Sequence, residues 1–336
     1  MAKHTVIEIG TQEVKGATGE FRKNSFFIDK VDIQPAEKDF YVSSTAAIFN
    51  RQVKTVSNVF KNLKSRSKKV SIIIPDEITY NHFMVFPKLR EKELYSAVKF
   101  QADQFIPLPL EKISIDIDIL EETEDRKNLL LMVVSVEKLH LTKITNLCES
   151  IGIIPVRIEN QLSSLGKTLT YADIKNPPNS IFVLLNQQTT ALYFYEEQRK
   201  LIFNTHTFKI GSELFAKELA LTANISLEEA KKLLMEVGLN TQDARLEQLM
   251  KPLLADFVSE LKQSLNLAQS KHSVLIKNLV FLNPNLMIKG FQSYIANKLQ
   301  INASDLDLSS AVRFKSKSLN NLMPKAVLTT VGGLII

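Results

Sequence analysis

Thr5-Val6-Ile7-Glu8-Ile9-Gly10-Thr11 reads as a short apolar strand that runs into a tight turn at a glycine. The same opening returns in the second half of the chain. Residues 181–185 form a strand, Asn186-Gln187-Gln188 a turn, and 189–195 the returning strand. A further strand at 200–208 and a helix at 213–222 follow it. In the first half, 25–33 is a second extended run and 43–66 a helix, with Ser43 to Thr45 offering N-caps. Phe49, Val53, Val56, Phe60 and Leu63 give that helix one apolar stripe. A buried strand at 70–74 ends at Pro75. Both halves are therefore α/β and begin with a strand hairpin.

The first half carries an insertion. A strand at 80–86 stops at Pro87, and a helix follows at 91–105, with Leu94, Ala97, Val98, Ala102 and Phe105 on one side. Pro107 and Pro109 end it. Ile113, Ile115, Ile117 and Ile119 alternate with Ser114, Asp116 and Asp118, a half-buried strand. A strand at 129–136 and a helix at 137–150 complete a β-α-β-β-α package. Then come a strand at 153–158, a helix at 161–171 and a linker, Asn176-Pro177-Pro178-Asn179. The second half is helical from 226 to about 271, with Pro252 marking a kink or a fresh helix start. It continues with a strand at 279–282 and a helix at 286–299, and residues 322–336 read as a closing helix.

Composition narrows the function classes. The chain has 336 residues, of which 45% are hydrophobic and 23% charged, an ordinary globular balance. Glycine is scarce: ten residues, less than half the roughly 7% share of an average protein. Neither GxGxxG nor GxxxxGK[ST] occurs, which excludes the dinucleotide fingerprint and the P-loop. The single Cys148 excludes an intrachain disulfide and reads as a buried helical thiol. No apolar run reaches the ~20 residues of a membrane helix. Net charge is +6. Its densest part is Lys61, Lys64, Arg66, Lys68 and Lys69, at a helix end. The plain reading is a solvated helix C-terminus that complements its dipole. The sharper reading is a patch for anionic lipid or nucleic acid, although no aromatic reader surface accompanies it. Asp116 and Asp118 fall on one face of an alternating strand, which fits a solvated face better than a catalytic carboxylate pair.

The order of elements, the segment Gln104-Phe105-Ile106-Pro107-Leu108-Pro109-Leu110-Glu111 running on to Asp116, the segment Ser150-Ile151-Gly152-Ile153-Ile154-Pro155, and the closing Val331-Gly332 resemble the PilM family of type IV pilus assembly proteins. This family is actin-like and related to FtsA, and the similarity covers essentially the whole chain. It implies an actin-like α/β fold, a duplicated ribonuclease-H-like architecture with two lobes and a 1C-type insertion in the first. The implied subdomains are 1A at 1–78 and 153–178, 1C at 79–152, 2A at 179–212 and 274–310, and 2B at 213–273. A C-terminal segment, 311–336, returns to 1A. The resemblance implies a cytoplasmic scaffold peripheral at the inner membrane. It would capture the N-terminal cytoplasmic tail of a PilN-like membrane protein between 1A and 1C and meet other pilus assembly platform proteins. It implies no nucleic acid, and membrane contact only through the partner. Phe83, Phe86, Phe100 and Phe105 are the candidate lining of the peptide groove.

The resemblance also implies a nucleotide cleft, with Glu8, Gly10, Thr11 and Lys15 at the first turn and Thr190 and Gly211 at the second. Several positions depart from the family pattern. Glu8 stands for Asp, and Gln12 and Glu13 for small residues. Leu184 stands at the second-turn aspartate and Asn186 at its glycine, though Asn tolerates left-handed backbone. Ala230-Lys231-Lys232-Leu233-Leu234 stands where the family has Ala-Glu-x-x-Lys, and Asn283-Pro284-Asn285 where it has a glycine-rich turn. Leu cannot ligate a metal, and Mg²⁺ wants oxygen ligands. The expectation is a scaffold with no catalytic residue, no metal and no required cofactor. The alternatives are a working actin-like ATPase or ATP/Mg-binding protein, a small-molecule kinase of the same superfold, and a GspL-like secretion platform domain.

Overall fold

Strand β1 (His4–Ile9) turns back through β2 (Glu13–Arg22) into β3 (Ser25–Pro35). The computed structural model describes residues 3–123, 126–175, 178–239, 244–282, 288–315 and 323–335. The sequence pattern gives no strand at 12–24, because Gly16 and Gly19 dilute its β signal. Both glycines have packing reasons. A Cβ on Gly16 would meet Val59 and Leu63 at 2.7 Å, and one on Gly19 would strike the Phe27 carbonyl. The first unit continues through α1 (Ala46–Leu63), β4 (Lys69–Ile74), β5 (Thr79–Pro87), α2 (Glu91–Gln101), β6 (Ile113–Glu122), β7 (Asn128–Glu137), α3 (Lys138–Ile151), β8 (Ile154–Asn160) and α4 (Gln161–Tyr171). The expected 91–105 helix ends at Gln101 and tightens into a 3₁₀ turn at Ala102–Gln104.

The second unit holds β9 (Ser180–Leu185), β10 (Thr190–Glu196), β11 (Leu201–Phe208), α5 (Ser212–Ala223), α6 (Leu227–Glu236), α7 (Arg245–Leu249), α8 (Lys251–His272), β12 (Asn278–Phe281), α9 (Phe291–Leu299) and β13 (Asn302–Ala303). Pro252 sits in the first turn of α8, a fresh start rather than a kink. After β14 (Val312–Phe314), the expected closing helix is three short pieces: α10 (Met323–Ala326), α11 (Leu328–Val331) and a 3₁₀ turn at Gly332–Leu334. The turn 283–285, the start of the 286–299 helix, and Asn176-Pro177 of the linker lie outside the described residues.

Contacts divide the chain into Met1–Asp173 with Ala311–Asn320 and Val327–Ile336, and Ile174–Ser310 with Asn321–Ala326. So α10 goes with the second unit, where Lys325 pairs with Asp305 at 2.7 Å, and not with the first as 311–336 was expected to.

In the first unit the sheet order is β14-β3-β2-β1-β4-β8, with β4 parallel to β1 and β8 parallel to β4. Alternation along β1 sorts its side chains. Ile7 and Ile9 join Val56, Val59, Leu63, Ile144, Leu147 and Cys148 in the core under α1 and α3. Burial pushes the Cys148 thiol up to about 11, which keeps it inert. Val6 and Glu8 point to the other face, where a Cβ on Gly333 would meet Val6 at 2.6 Å and Ile73 at 3.2 Å. The insertion makes its own sheet, β5-β7-β6, with α2 packed on one face through Leu94 and Val98. The second unit is built on β11-β10-β9-β12-β13. Every residue of β9 is buried, as in a sheet covered on both faces. Phe215, Phe257, Phe281 and Phe291 pack there in edge and tilted ring contacts.

Candidate functional site

Glu8 decides what the first turn does. Strand alternation places it under α4 and the C-terminal segment, 1% exposed. Its Oε1 accepts from Gln161 Nε2 at 2.8 Å and from Lys15 Nζ at 3.4 Å. Its Oε2 accepts from Thr329 Oγ1 at 2.8 Å and Thr330 Oγ1 at 2.6 Å. Burial alone would raise this carboxyl. Lys15 first, then Thr330, Gln161 and Thr329, together bring it below the ordinary 4.5. The carboxylate is charged and fully partnered by protein. Lys15 is committed as well, to Glu8 and to Glu13 at 3.7 Å. Gly10 closes the turn by donating to the Glu13 carbonyl at 3.0 Å, and a Cβ would meet that oxygen at 2.8 Å. Thr11 is half-buried. One donor is left over: Gln12 Nε2 is enclosed with no partner.

Sequence reasoning found Glu8 and Lys15 but missed Gln161, Thr329 and Thr330. The signal was available. Two adjacent threonines inside the apolar run 326–336 need a polar partner if that run is buried. Gly332 and Gly333 let the run lie flat, because a Cβ on Gly332 would strike the Ser164 carbonyl.

The second turn is closed by its own backbone. Asn186 N–H donates to Thr189 O at 2.9 Å, and the φ of Asn186 is not positive, so no left-handed residue is needed there. The first amides of α5 donate inward, Ser212 to Asn186 O and Glu213 to Gln187 O, each at 2.9 Å. A helix N-terminus that would otherwise hold an anion is thereby occupied. Gly211 caps α5 because the Gln187 peptide presses against the place of its Cβ. Thr190, fully buried, donates its hydroxyl to Ile210 O at 2.6 Å. Leu184 is buried. In α6, Ala230 and Leu234 belong to the core, and Lys231 pairs with Glu228 at 2.8 Å.

The buried carboxylate at the first turn is held by protein donors, the second turn has leucine in the matching place, and the first α5 amides are taken. Among the described residues no group of three or more His, Cys, Asp or Glu is placed to hold a metal.

The inserted sheet presents a different surface. Opposed residues share a face, so Phe83, Met132 and Asp118 form one row and Asn81, Val134 and Asp116 the next, on the face away from α2. Asn160 at the end of β8 donates to Asn81 at 2.7 Å, which ties this sheet to the main one. The Asp118 carboxyl is pushed up, first by loss of water, then by Asp116 and Glu159, while Lys167 and Arg157 pull it down. Its side chain remains open to solvent. Asp116 and Asp118 are both exposed, and Asp118 lies near enough to β8 and α4 for Glu159, Arg157 and Lys167 to act on it.

The four phenylalanines do not gather there. Phe86 is 6% exposed in the core under α2, and Phe83, 3% exposed, lies on the face away from α2 with almost no surface to offer. Phe105 is half-buried and stacks on His82 at 4.4 Å. Phe100 is 85% exposed on α2. Phe83 and Phe86 therefore offer almost no free surface to a peptide, Phe86 because the small sheet needs it for its own core. Asp116 and Asp118 are both exposed, as the alternation of β6 predicts.

Comparison with known proteins agrees with this architecture. The structure of a PilM-PilN type IV pilus biogenesis complex superposes with a TM-score of 0.77 at 17% identity, over 99% of this chain and 96% of that one. Ethanolamine utilization protein EutJ from Carboxydothermus hydrogenoformans gives 0.52 at 10% identity, over 100% and 90%. The cytoplasmic domain of EpsL, an inner membrane component of the type II secretion system of Vibrio cholerae, gives 0.47 at 8%, over 98% and 94%, too slight a likeness to weigh. The fold is actin-like. No curated protein sequence matches the chain. A family profile described as type IV pilus assembly protein PilM matches residues 6–333. The chain belongs to the PilM family of type IV pilus assembly proteins.

Proposed function

We propose that this protein is a cytoplasmic scaffold of the type IV pilus inner-membrane platform that binds the N-terminal tail of a PilN-like membrane protein and does not hydrolyse ATP. The observation that carries the reading is the exposed face of the inserted sheet beside β8, which we read as the peptide groove. Asp116 and Asp118 stand there opposite Val134 and Met132 of β7, within electrostatic reach of Arg157, Glu159 and Lys167. An extended tail suits such a site: its apolar side chains reach the sheet, and its charged groups pair with the charges around it. A PilM-PilN type IV pilus biogenesis complex shares this fold. No helix among the described residues is long and apolar enough to cross a membrane, so membrane attachment through a partner fits this chain. The engagement of Glu8, the burial of Leu184 and the occupied α5 amides support a scaffold without turnover.

Titration of the full chain with a synthetic peptide of the partner's cytoplasmic tail tests the reading. Saturable binding below about 100 μM is expected, about −5.5 kcal/mol. Asp118→Lys should weaken it at least tenfold. Asp118→Asn removes a charge that is costly in the groove, so it keeps the fold and separates peptide recognition from stability. No binding at several hundred micromolar, or no effect of Asp118→Lys, overturns the groove assignment.

A further inference from the structure

A cavity of about 700 Å³ opens beyond the C-terminal end of α1, far in function from the groove and the turns. Its floor is a cross-strand row: Thr5 on β1 opposes Thr18 on β2, which opposes Lys30 on β3. Its roof is the loop Lys64-Ser65-Arg66-Ser67, entered by a left-handed Lys64 at φ 50°. Thr5 Oγ1 and Ser65 Oγ, 2.7 Å apart, join floor to roof. Lys3 and Lys315 enter from the ends of β1 and β14.

The charge balance of this lining is lopsided. Five cations, Lys3, Lys30, Lys64, Arg66 and Lys315, face one carboxylate, Asp29. Asp29 sits at the β-bulge between the Thr18–Lys30 and Gly19–Ile28 pairs, which aims it and Lys30 into the same space. Asp29 holds Lys3 at 2.6 Å, and Lys315 comes no closer than 4.0 Å. Lys30, Lys64 and Arg66 have no ion-pair partner among the described residues. The helix dipole accounts for a cation at the end of α1. It does not account for Lys3, Lys30 and Lys315, which arrive from three different strands.

We propose that this cavity binds a phosphoryl anion, as a soluble phosphate compound or as the headgroup of an anionic lipid. Mutually repelling cations in one concavity are relieved by an oxyanion, and Arg66 offers it a planar set of donors. The assignment is independent of the tail-binding reading.

The experiment uses the full chain in phosphate-free buffer at low salt. Inorganic pyrophosphate is titrated calorimetrically, and vesicles of phosphatidylglycerol in phosphatidylcholine are tested by co-sedimentation. Saturable binding to at least one probe is expected, with loss of at least tenfold in Lys64→Glu/Arg66→Glu. A charge-matched control on α8, Lys251→Glu/Lys262→Glu, should stay within twofold. Binding to vesicles alone identifies a headgroup, and binding to pyrophosphate alone a soluble ligand. Lys30→Met, which keeps bulk while removing charge, repeats the test should the loop variant fail to fold. Three results overturn the proposal: neither probe binds, the control pair weakens binding as much, or an acidic peptide binds while both phosphate probes are inert.

Discussion

The turns after β1 and β9 hold matching places, each joining the first two strands of an antiparallel hairpin, yet they satisfy their polar groups in opposite ways. At the first, a carboxylate survives because the fold uses it: Glu8 ties β1 to α4 and to the C-terminal threonines. At the second, the polar demand is gone: Leu184 is buried, and the backbone of Asn186 and Gln187 caps α5 directly. A hairpin thus persists for its backbone geometry alone. A charged residue within it persists only where other protein groups need its charge.

The largest effect should come from removing that charge. Glu8→Ala leaves the mostly enclosed Lys15, the Gln161 amide and two buried hydroxyls without their acceptor. A loss of about 3–5 kcal/mol is expected, read as a lower urea midpoint of the first unit. A loss under 1 kcal/mol would mean that the first turn is as free of internal demand as the second, and the contrast would collapse.

At the second turn the sensitive position is steric. Gly211 has φ −114°, open to any residue, so Gly211→Ala suffers only from its β-carbon meeting the Gln187 peptide. About 1–3 kcal/mol should be lost from the second unit. Gly166, inside α4 with nothing within 4 Å of a new Cβ, gives the counterpart: Gly166→Ala should gain roughly 0.5–1 kcal/mol.

How much of this was written in the sequence follows from period and partner. Alternation in 5–11 and its echo at 181–195 marked both hairpins, and prolines at 75, 87 and 107 marked where elements stop. Strand β2 was hidden because Gly16 and Gly19 serve neighbours in space, Leu63, Val59 and Phe27, and not β propensity. The site was half legible. Leu184 announced the missing ligand through its own chemistry, whereas the partners of Glu8 lie more than 150 residues away, at Gln161, Thr329 and Thr330. Groove residues escaped because phenylalanine marks a core and a peptide site equally well. The raised carboxyl of Asp118 depends on elements that only the fold brings near it.

A smaller effect separates the turns by pH. The folded Glu8 carboxyl lies below its unfolded value, so its stabilisation is complete above about pH 4.5 and is lost as pH falls through the folded pKa. Between roughly pH 5 and 3 the first unit should therefore lose stability more steeply in the wild type than in Glu8→Gln, which cannot titrate. The second turn carries no such carboxylate, so Leu184→Ala should shift stability by the same amount across that range. Parallel curves for wild type and Glu8→Gln would show that the Glu8 carboxyl titrates alike in the folded and unfolded chain.

The smallest expected effect is the response to Mg-ATP, and it tests both turns together. A ligand bound only by the native state at a hundred times its Kd stabilises by about 2.7 kcal/mol, which raises the melting temperature by several degrees in a domain of this size. With Glu8 spent on Thr329 and Thr330, and the α5 amides on Asn186 and Gln187, a shift below about 1 °C is expected at saturating Mg-ATP. Gln12 makes the result decisive. Its Nε2 is enclosed and has no partner in the protein. A shift of several degrees in the wild type that disappears in Gln12→Ala would place a bound acceptor at the first turn and end the claim that its polar groups serve only the fold. A flat response in both proteins leaves the two turns as hairpins kept for different reasons, one for its charge and one for its backbone.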